Sequence, residues 1–179
     1  MHLYFLKTNR LGFRNWHEND LPLALQLWGD HDVTRFIDAR GRLNEEQVKE
    51  KLLNEIDCFN QFSIQYFPIF LLNNNDFVGC CGLRPYQLIK SYYEIGFHIN
   101  KKFWRQGLAK EAADAMINYA FNKLEAVELF AGHNPKNEGS KFLLNKLGFQ
   151  YSQDEYYPPT GLNHPSYILS AERFHNIRE

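Results

Sequence analysis

The stretch from Tyr93 to Lys110, YEIGFHINKKFWRQGLAK, constrains the fold of this chain more than any other. Tyr93, Ile95, Phe97 and Ile99 alternate along it, which predicts a strand with one apolar face. Asn100 to Arg105 are polar or basic apart from Phe103 and Trp104, and Gly107 and Ala109 then open a helical pattern. A helix whose first turn is lined by small residues exposes several unpaired backbone N–H groups. Those donors and the positive end of the helix dipole attract an anion such as a pyrophosphate. Lys101, Lys102, Arg105 and Lys110 add positive charge around the same turn. The stretch therefore predicts a phosphate-bearing cofactor held at the turn, its reactive end running back along the strand.

The rest of the chain supplies layers for that unit. Leu11 to Trp16 alternates as a first strand. Asp20 and Pro22 suit a helix start, with Leu23, Leu27 and Trp28 as its apolar stripe. Asn44 and Gln47 have capping-box spacing ahead of Val48, Leu52, Ile56 and Phe59, a clean helical face. Ile64 to Leu72 alternates, with Pro68 marking part of it as edge strand. Phe77 to Leu83 follows a polar turn, and Gly79 and Gly82 mark bends or bulges.

Leu108 to Leu124 is the best-defined helix, apolar every four residues at Leu108, Ala112, Met116, Ala120 and Leu124. Val127 to His133 reads as a short strand. Asn137 caps another helix with Phe142, Leu143 and Leu147 inward and Gly148 as its stop. Phe149–Tyr156 and Ser166–Ser170 read as closing strands. The predicted order is close to βααββββαβαββ: an α+β fold with a mixed, mostly antiparallel sheet and helices on both faces.

At 179 residues the chain fits one domain, 1–179. A hydrophobic content of 44% excludes a disordered chain. A net charge of −1 gives no global reason to expect nucleic acid or a membrane surface, so charged recognition must be local. Cys80 and Cys81 are adjacent and point to opposite faces of a strand, which suits neither a bridge nor a shared metal. With Cys58 they read as reduced thiols of a cytoplasmic protein. No metal-ligand spacing appears, so no metal is expected. The N-terminus lacks an apolar run of signal-peptide length, and no run approaches a membrane span.

Three segments in order resemble the GNAT family of acyl-CoA-dependent N-acetyltransferases: TNRLGFRNW with the helix start behind it, EIGFHINKKFWRQGLAKEA, and NEGSKFLLNKLGF. They cover nearly the whole chain. The likeness is strongest to the branch that includes ribosomal-protein N-terminal alanine acetyltransferases and some aminoglycoside-modifying enzymes. The broader family's turn begins with Gln or Arg, whereas here that position is Trp104. Because backbone amides do the cradling, the side chain there is expected to matter less than the turn shape.

The resemblance implies acetyl-CoA as co-substrate and a primary amine as acceptor, on a peptide N-terminus or a small molecule. It implies that the amides of Arg105, Gln106, Gly107, Leu108, Ala109 and Lys110 hold the CoA pyrophosphate. The pantetheine arm is then expected along Phe97 and Ile99, with the Phe97 N–H facing the thioester carbonyl and stabilising the oxyanion of a tetrahedral intermediate. Glu94 is the leading general base; the same residue also reads as a surface or salt-bridged glutamate. His98 is a second candidate base, but four strand residues put it about 13 Å from Glu94, too far for a dyad.

Asn137 and Ser140 are implied to contact CoA. Ser140 is also a candidate acid for the departing thiolate, while capping alone accounts for Asn137 equally well. Tyr156 and Tyr157 are other possible proton donors, and Tyr167 is read as packing in the last strand. Asp30, Asp32, Arg35, Asp38 and Arg40 are placed on one wall of the acceptor groove or on a solvated helix face. Trp28, Phe36 and Tyr86 line that groove or fill the core.

Homodimers are common in this branch. The rival readings are a CoA-binding regulatory module without catalysis and a nucleotide-binding α/β protein. The second is opposed by the absence of a GxxxxGK[ST] run and by the antiparallel meander.

Overall fold

A computed structural model describes residues 4–178. The described residues form an eight-stranded sheet. Its first strands are β1 (Leu6–Lys7) and β2 (Leu11–Phe13), followed by the helices α1 (Leu21–Trp28), α2 (His31–Thr34) and α3 (Glu45–Phe62). The meander β3 (Tyr66–Leu71), β4 (Phe77–Pro85) and β5 (Tyr92–Ile99) leads into α4 (Leu108–Lys123). Then come β6 (Glu128–Gly132), α5 (Glu138–Lys146), β7 (Gln150–Tyr157), β8 (Leu162–Ser170) and α6 (Ala171–Asn176). The strand order is β1-β2-β3-β4-β5-β6-β8-β7, antiparallel throughout except for β5 beside β6.

Side-chain alternation divides the core between the two faces. On one face Cys81, Leu83, Ile95 and Ile99 meet Leu108, Ala112, Ala113 and Met116 of α4. On the other, Tyr66, Phe70 and Cys80 meet Leu27, Trp28, Val48 and Leu52 of α1 and α3. Cys80 and Cys81 are thus buried on opposite faces as free thiols, and Cys58 is half-buried and free. The helices cover both faces, as expected.

Several local expectations need correction. The middle run holds three strands, and β1 and α6 extend the predicted order at its ends. The first strand stops at Phe13: the Arg14 N–H still reaches the Pro68 carbonyl at 3.3 Å, but Pro68 has no N–H to return the bond, and the Arg14 side chain pairs with Asp20 at 2.6 Å. Asp20 therefore gives α1 no side-chain cap; its carboxylate instead accepts from the His17 N–H at 2.9 Å. The Asn44–Gln47 capping box forms as predicted.

Strand β3 is interior, yet its partner β2 ends at Phe13 opposite Ile69. Pro68 faces Arg14 one residue past that ladder, accepting its N–H but donating none, so the pairing ends there. Phe142 points outward and is 68% exposed, whereas Leu144 and Leu147 are buried. The phase of α5 is set by those leucines. Its outer face carries the Phe142 ring beneath the Lys146 ammonium.

Candidate active site

Strands β5 and β6 pair only over Tyr92↔Glu128, Tyr93↔Leu129 and Glu94↔Phe130. Beyond Glu94 they part: β5 continues along β4 to Ile99, and β6 continues along β8 to Gly132. The Tyr92 carbonyl and the Asn100 N–H both bond toward β4, so the alternate residues 93, 95, 97 and 99 turn their main-chain groups toward β6. Past the split, the polar groups of Phe97 and Ile99 face a gap. The Trp104 indole N–H donates to the Ile99 carbonyl at 2.7 Å. Its side chain therefore helps to hold the turn, although the turn shape was expected to matter more. The Phe97 N–H and C=O and the Ile99 N–H remain available to an extended ligand.

That edge leads into the basic turn through a short 3-10 turn at Lys101–Phe103. Arg105 and Gly107 both adopt left-handed backbone, at φ 61° and 75°. Among the described residues, the N–H groups of Arg105, Gln106, Gly107, Leu108, Ala109 and Lys110 have no acceptor within the chain. A run of such donors at a helix N-terminus fits an anion.

Most of the surrounding cations are already engaged. Lys101 pairs with Asp32 at 2.7 Å, Lys102 with Asp76 at 3.8 Å, and Lys110 with Asp114. The amides, more than the side chains, carry the anion-binding capacity.

Arg10 braces the turn and was not singled out from sequence. It donates from Nη1 to the Gln106 carbonyl at 3.0 Å and pairs through Nε with Glu111 at 2.6 Å. Burial works to raise the Glu111 carboxyl, but hydrogen bonds from Thr8 and Arg10 hold it below its usual value. Only the fold brings residues 10 and 111 together, so spacing held no signal for the pair.

Glu94 stands at the apex of the split, on the sheet face toward α1 and α3. The Tyr66 hydroxyl donates to Glu94 Oε1 at 3.1 Å. The Arg84 guanidinium lies over the Tyr66 ring, 4.1 Å from its centroid, and is ion-paired with Glu55. Glu55 is fully buried on α3 and also accepts from the Tyr66 N–H at 2.9 Å. Its place on the apolar face of α3 hid it from a hydrophobic-pattern reading.

Burial pushes the Glu94 carboxyl up, against the lowering effects of Arg84 and of the Tyr66 hydrogen bond. A carboxyl poised in this way can hold and release a proton closer to neutrality than a free glutamate.

His98, the second candidate base, meets a donor at Nδ1. The Trp28 indole, which can only donate, gives its N–H to His98 Nδ1 at 3.1 Å. That bond uses the lone pair of Nδ1 and leaves the proton of the neutral ring on Nε2. Burial first, then the charges of Lys51 and Arg84, hold the imidazole well below its usual pKa. Glu94 and His98 form no dyad; both touch Tyr66, whose ring stands edge-on to His98 at 5.7 Å.

The flanking candidates settle as follows. The Asn137 side chain accepts from the Ser140 N–H at 3.1 Å and caps α5. The Ser140 hydroxyl is half-buried with no hydrogen-bond partner among the described residues. Trp28 and Tyr167 are core residues. Tyr86 stacks on Phe130 at 4.2 Å beside the Glu94 pair. Tyr156 is 66% exposed. The Tyr157 phenol is raised by burial and then by the Glu94 charge, which places it near the site.

Asp38 and Arg40 pair with each other in the loop after α2. That loop meets the β7–β8 turn where the Ala39 N–H donates to the Pro159 carbonyl at 2.8 Å. No group of acidic, histidine or cysteine side chains among the described residues could hold a metal.

A split parallel pair, a free strand edge and a cradle of amides meet here around β5 and the turn that follows it. A family profile described as "Acetyltransferase (GNAT) domain" matches residues 10–150, which include all of it. The chain belongs to the GNAT family of acetyltransferases.

Like other GNAT proteins it is an acetyltransferase enzyme, transferring acetyl groups to amines. It is 28% identical over 147 residues to an uncharacterized N-acetyltransferase, p20, of Bacillus licheniformis, covering 81% of this chain and 82% of that one. A GNAT acetyltransferase of known structure from Bacillus anthracis superposes with a TM-score of 0.80 at 24% identity, over 93% of this chain and 98% of the other. The spermidine N-acetyltransferase of Vibrio cholerae, solved with CoA and spermine, shares the fold at a TM-score of 0.78 and 14% identity, over 94% and 100% of the two chains. No helix among the described residues of this GNAT protein is long and apolar enough to cross a membrane.

Proposed function

We propose that this chain moves acetyl from acetyl-CoA directly to a primary amine that Glu94 deprotonates. The observation that carries the reading is the position of Glu94 at the last β5–β6 pair, where the free edge of β5 begins. The amides of residues 105–110 are the groups to hold the CoA diphosphate, and the edge at Phe97 and Ile99 those to hold its pantetheine arm. When bound, acetyl-CoA supplies an activated acyl carbon.

The Phe97 N–H is the donor suited to the charge that develops on the acyl oxygen, a contribution typically of about 10²–10³ in rate. Ser140, at the start of α5, flanks the thiol end of the arm, with Tyr157 as the alternative proton donor. Cys80 and Cys81 are fully buried with thiols raised by burial, so neither is an activated nucleophile. A purely CoA-binding module would have no use for the Glu55–Arg84–Tyr66–Glu94 array.

Transfer of labelled acetyl to a panel of amines tests this. Glu94→Gln should lose about 10²–10⁴ in kcat/KM while still binding CoA. A fully active Glu94→Gln enzyme would remove Glu94 from the reaction.

A further inference from the structure

A cavity of about 450 Å³ lies between α3 and the end of β4. Its charged lining consists of Asp38, Arg40, Glu50, Lys51 and Arg84. Arg40 is paired with Asp38, at 2.6 and 2.8 Å, and Arg84 with the buried Glu55. Glu50 is exposed on the outer side.

Among the described residues, Lys51 is the cation of this cavity with no carboxylate at ion-pair distance; its ammonium lies 5.2 Å from the centre of the Trp28 ring. Lys51 is half-buried, and burial first, then the Arg84 charge, lower its pKa. An ammonium disfavoured in this way gains most from an anion brought to it.

The cavity joins the proposed reaction centre through Arg84. Its guanidinium lines the cavity and covers the Tyr66 ring, and the Tyr66 hydroxyl holds Glu94. An acceptor with its amine at Glu94 therefore extends its remainder past Arg84 toward Lys51. A second amine in that place would meet the Lys51 ammonium, since Arg84 is already paired with Glu55. A carboxylate would meet the three free donors of Lys51.

Resting on the proposed acetyl transfer at Glu94, we propose that the acceptor is an amino carboxylate: its amine faces Glu94 and its carboxylate is held by Lys51. A free amino acid and a short peptide share that chemistry. The reaction stays an amide-forming transfer in which the N–C bond forms, the thioester C–S bond breaks, and the amine proton leaves through Glu94.

The test uses the full chain with acetyl-CoA. Amino carboxylates of increasing chain length, α-amino acids and dipeptides are each compared with the matching carboxamide, and with diamines of similar length. Acids should be preferred, and Lys51→Gln should lower the acid-to-amide ratio of kcat/KM about tenfold, the weight of a charge-assisted hydrogen bond. Lys51→Glu should turn the preference toward diamines, a gain that a misfolded variant could not show. The relative rates of amino acids and dipeptides then distinguish the two sources.

Preference for diamines or amides in the unaltered enzyme, with a ratio indifferent to Lys51, would overturn this inference and leave acetyl transfer standing. Failure to acetylate any amine while CoA still binds would overturn both.

Discussion

The Tyr66 hydroxyl reaches Glu94 through space that only a glycine at position 96 leaves open. A Cβ on Gly96 would lie 2.3 Å from both Cζ and the hydroxyl oxygen of Tyr66. Gly96 is the residue between Glu94 and His98 on the same face of β5, so the ring fills the gap between those two side chains. The carboxylate is thereby held from β3, across the intervening β4, independent of any ligand.

The pH profile should report this arrangement. Burial raises Glu94 above the ordinary value of 4.5, so the acid limb of kcat/KM should have its midpoint above 4.5. The Tyr66 hydrogen bond favours the carboxylate form, so Tyr66→Phe should move the limb further toward alkaline pH. Glu94→Gln should abolish it. The same raised carboxyl binds its proton more tightly folded than unfolded. Its contribution to stability is therefore present below 4.5 and lost as pH rises through the raised value. Rate measurements across pH on the three proteins decide the point.

Gly96→Ala should destabilise the fold by about 1–3 kcal/mol, the usual cost of overpacking, because the neighbour that must move is an aromatic ring in the core. Urea unfolding would show a lower midpoint with an unchanged slope. An unchanged midpoint would mean that Tyr66 can turn aside, and Glu94 would then lose its donor without a stability cost.

At the turn, two substitutions separate strain from binding. A Cβ on Gly107 meets nothing closer than Arg10 Nη2 at 3.6 Å, so Gly107→Ala is opposed by its φ of 75° and not by space. Stability should fall by about 1–2 kcal/mol. Arg10→Ala frees the Gln106 carbonyl and should weaken CoA on the order of threefold, a modest effect because Arg10 is half exposed. Calorimetric titration with CoA reads the second effect, and thermal unfolding the first.

Asn137 and Ser140 should also separate. Asn137→Ala removes a side-chain cap and should lower stability by about 1 kcal/mol. Ser140→Ala leaves that cap in place, since the Ser140 backbone N–H is the donor. Any rise in the KM for acetyl-CoA in Ser140→Ala then belongs to the hydroxyl. An unchanged KM for acetyl-CoA in Ser140→Ala would leave the hydroxyl with no part in holding the co-substrate.

Local signals were legible where one segment carries the whole feature. The Asn44 capping box, the α4 stripe, and the strand–turn–helix of residues 93–110 all formed as their spacing indicates. Short-range phase was less secure. Phe142 and Leu144 are both apolar within one helix turn, and only the neighbours of α5 decide which faces inward. Pro68 predicted a strand partly at the rim of the sheet, whereas β3 lies between β2 and β4.

The sequence alone determined the periodicity of its elements, the strained turn that needs Gly107, and the order of segments that marks the family. These depend on the residues nearest in the chain, whose spacing dictates local geometry. Tertiary structure alone decided the electrostatics of the site: Arg10 beside Glu111, Glu55 beneath Arg84, Tyr66 on Glu94, and Trp28 on His98. Each joins residues far apart in the chain, and the charge and proton affinity of each group follow from what folding places around it.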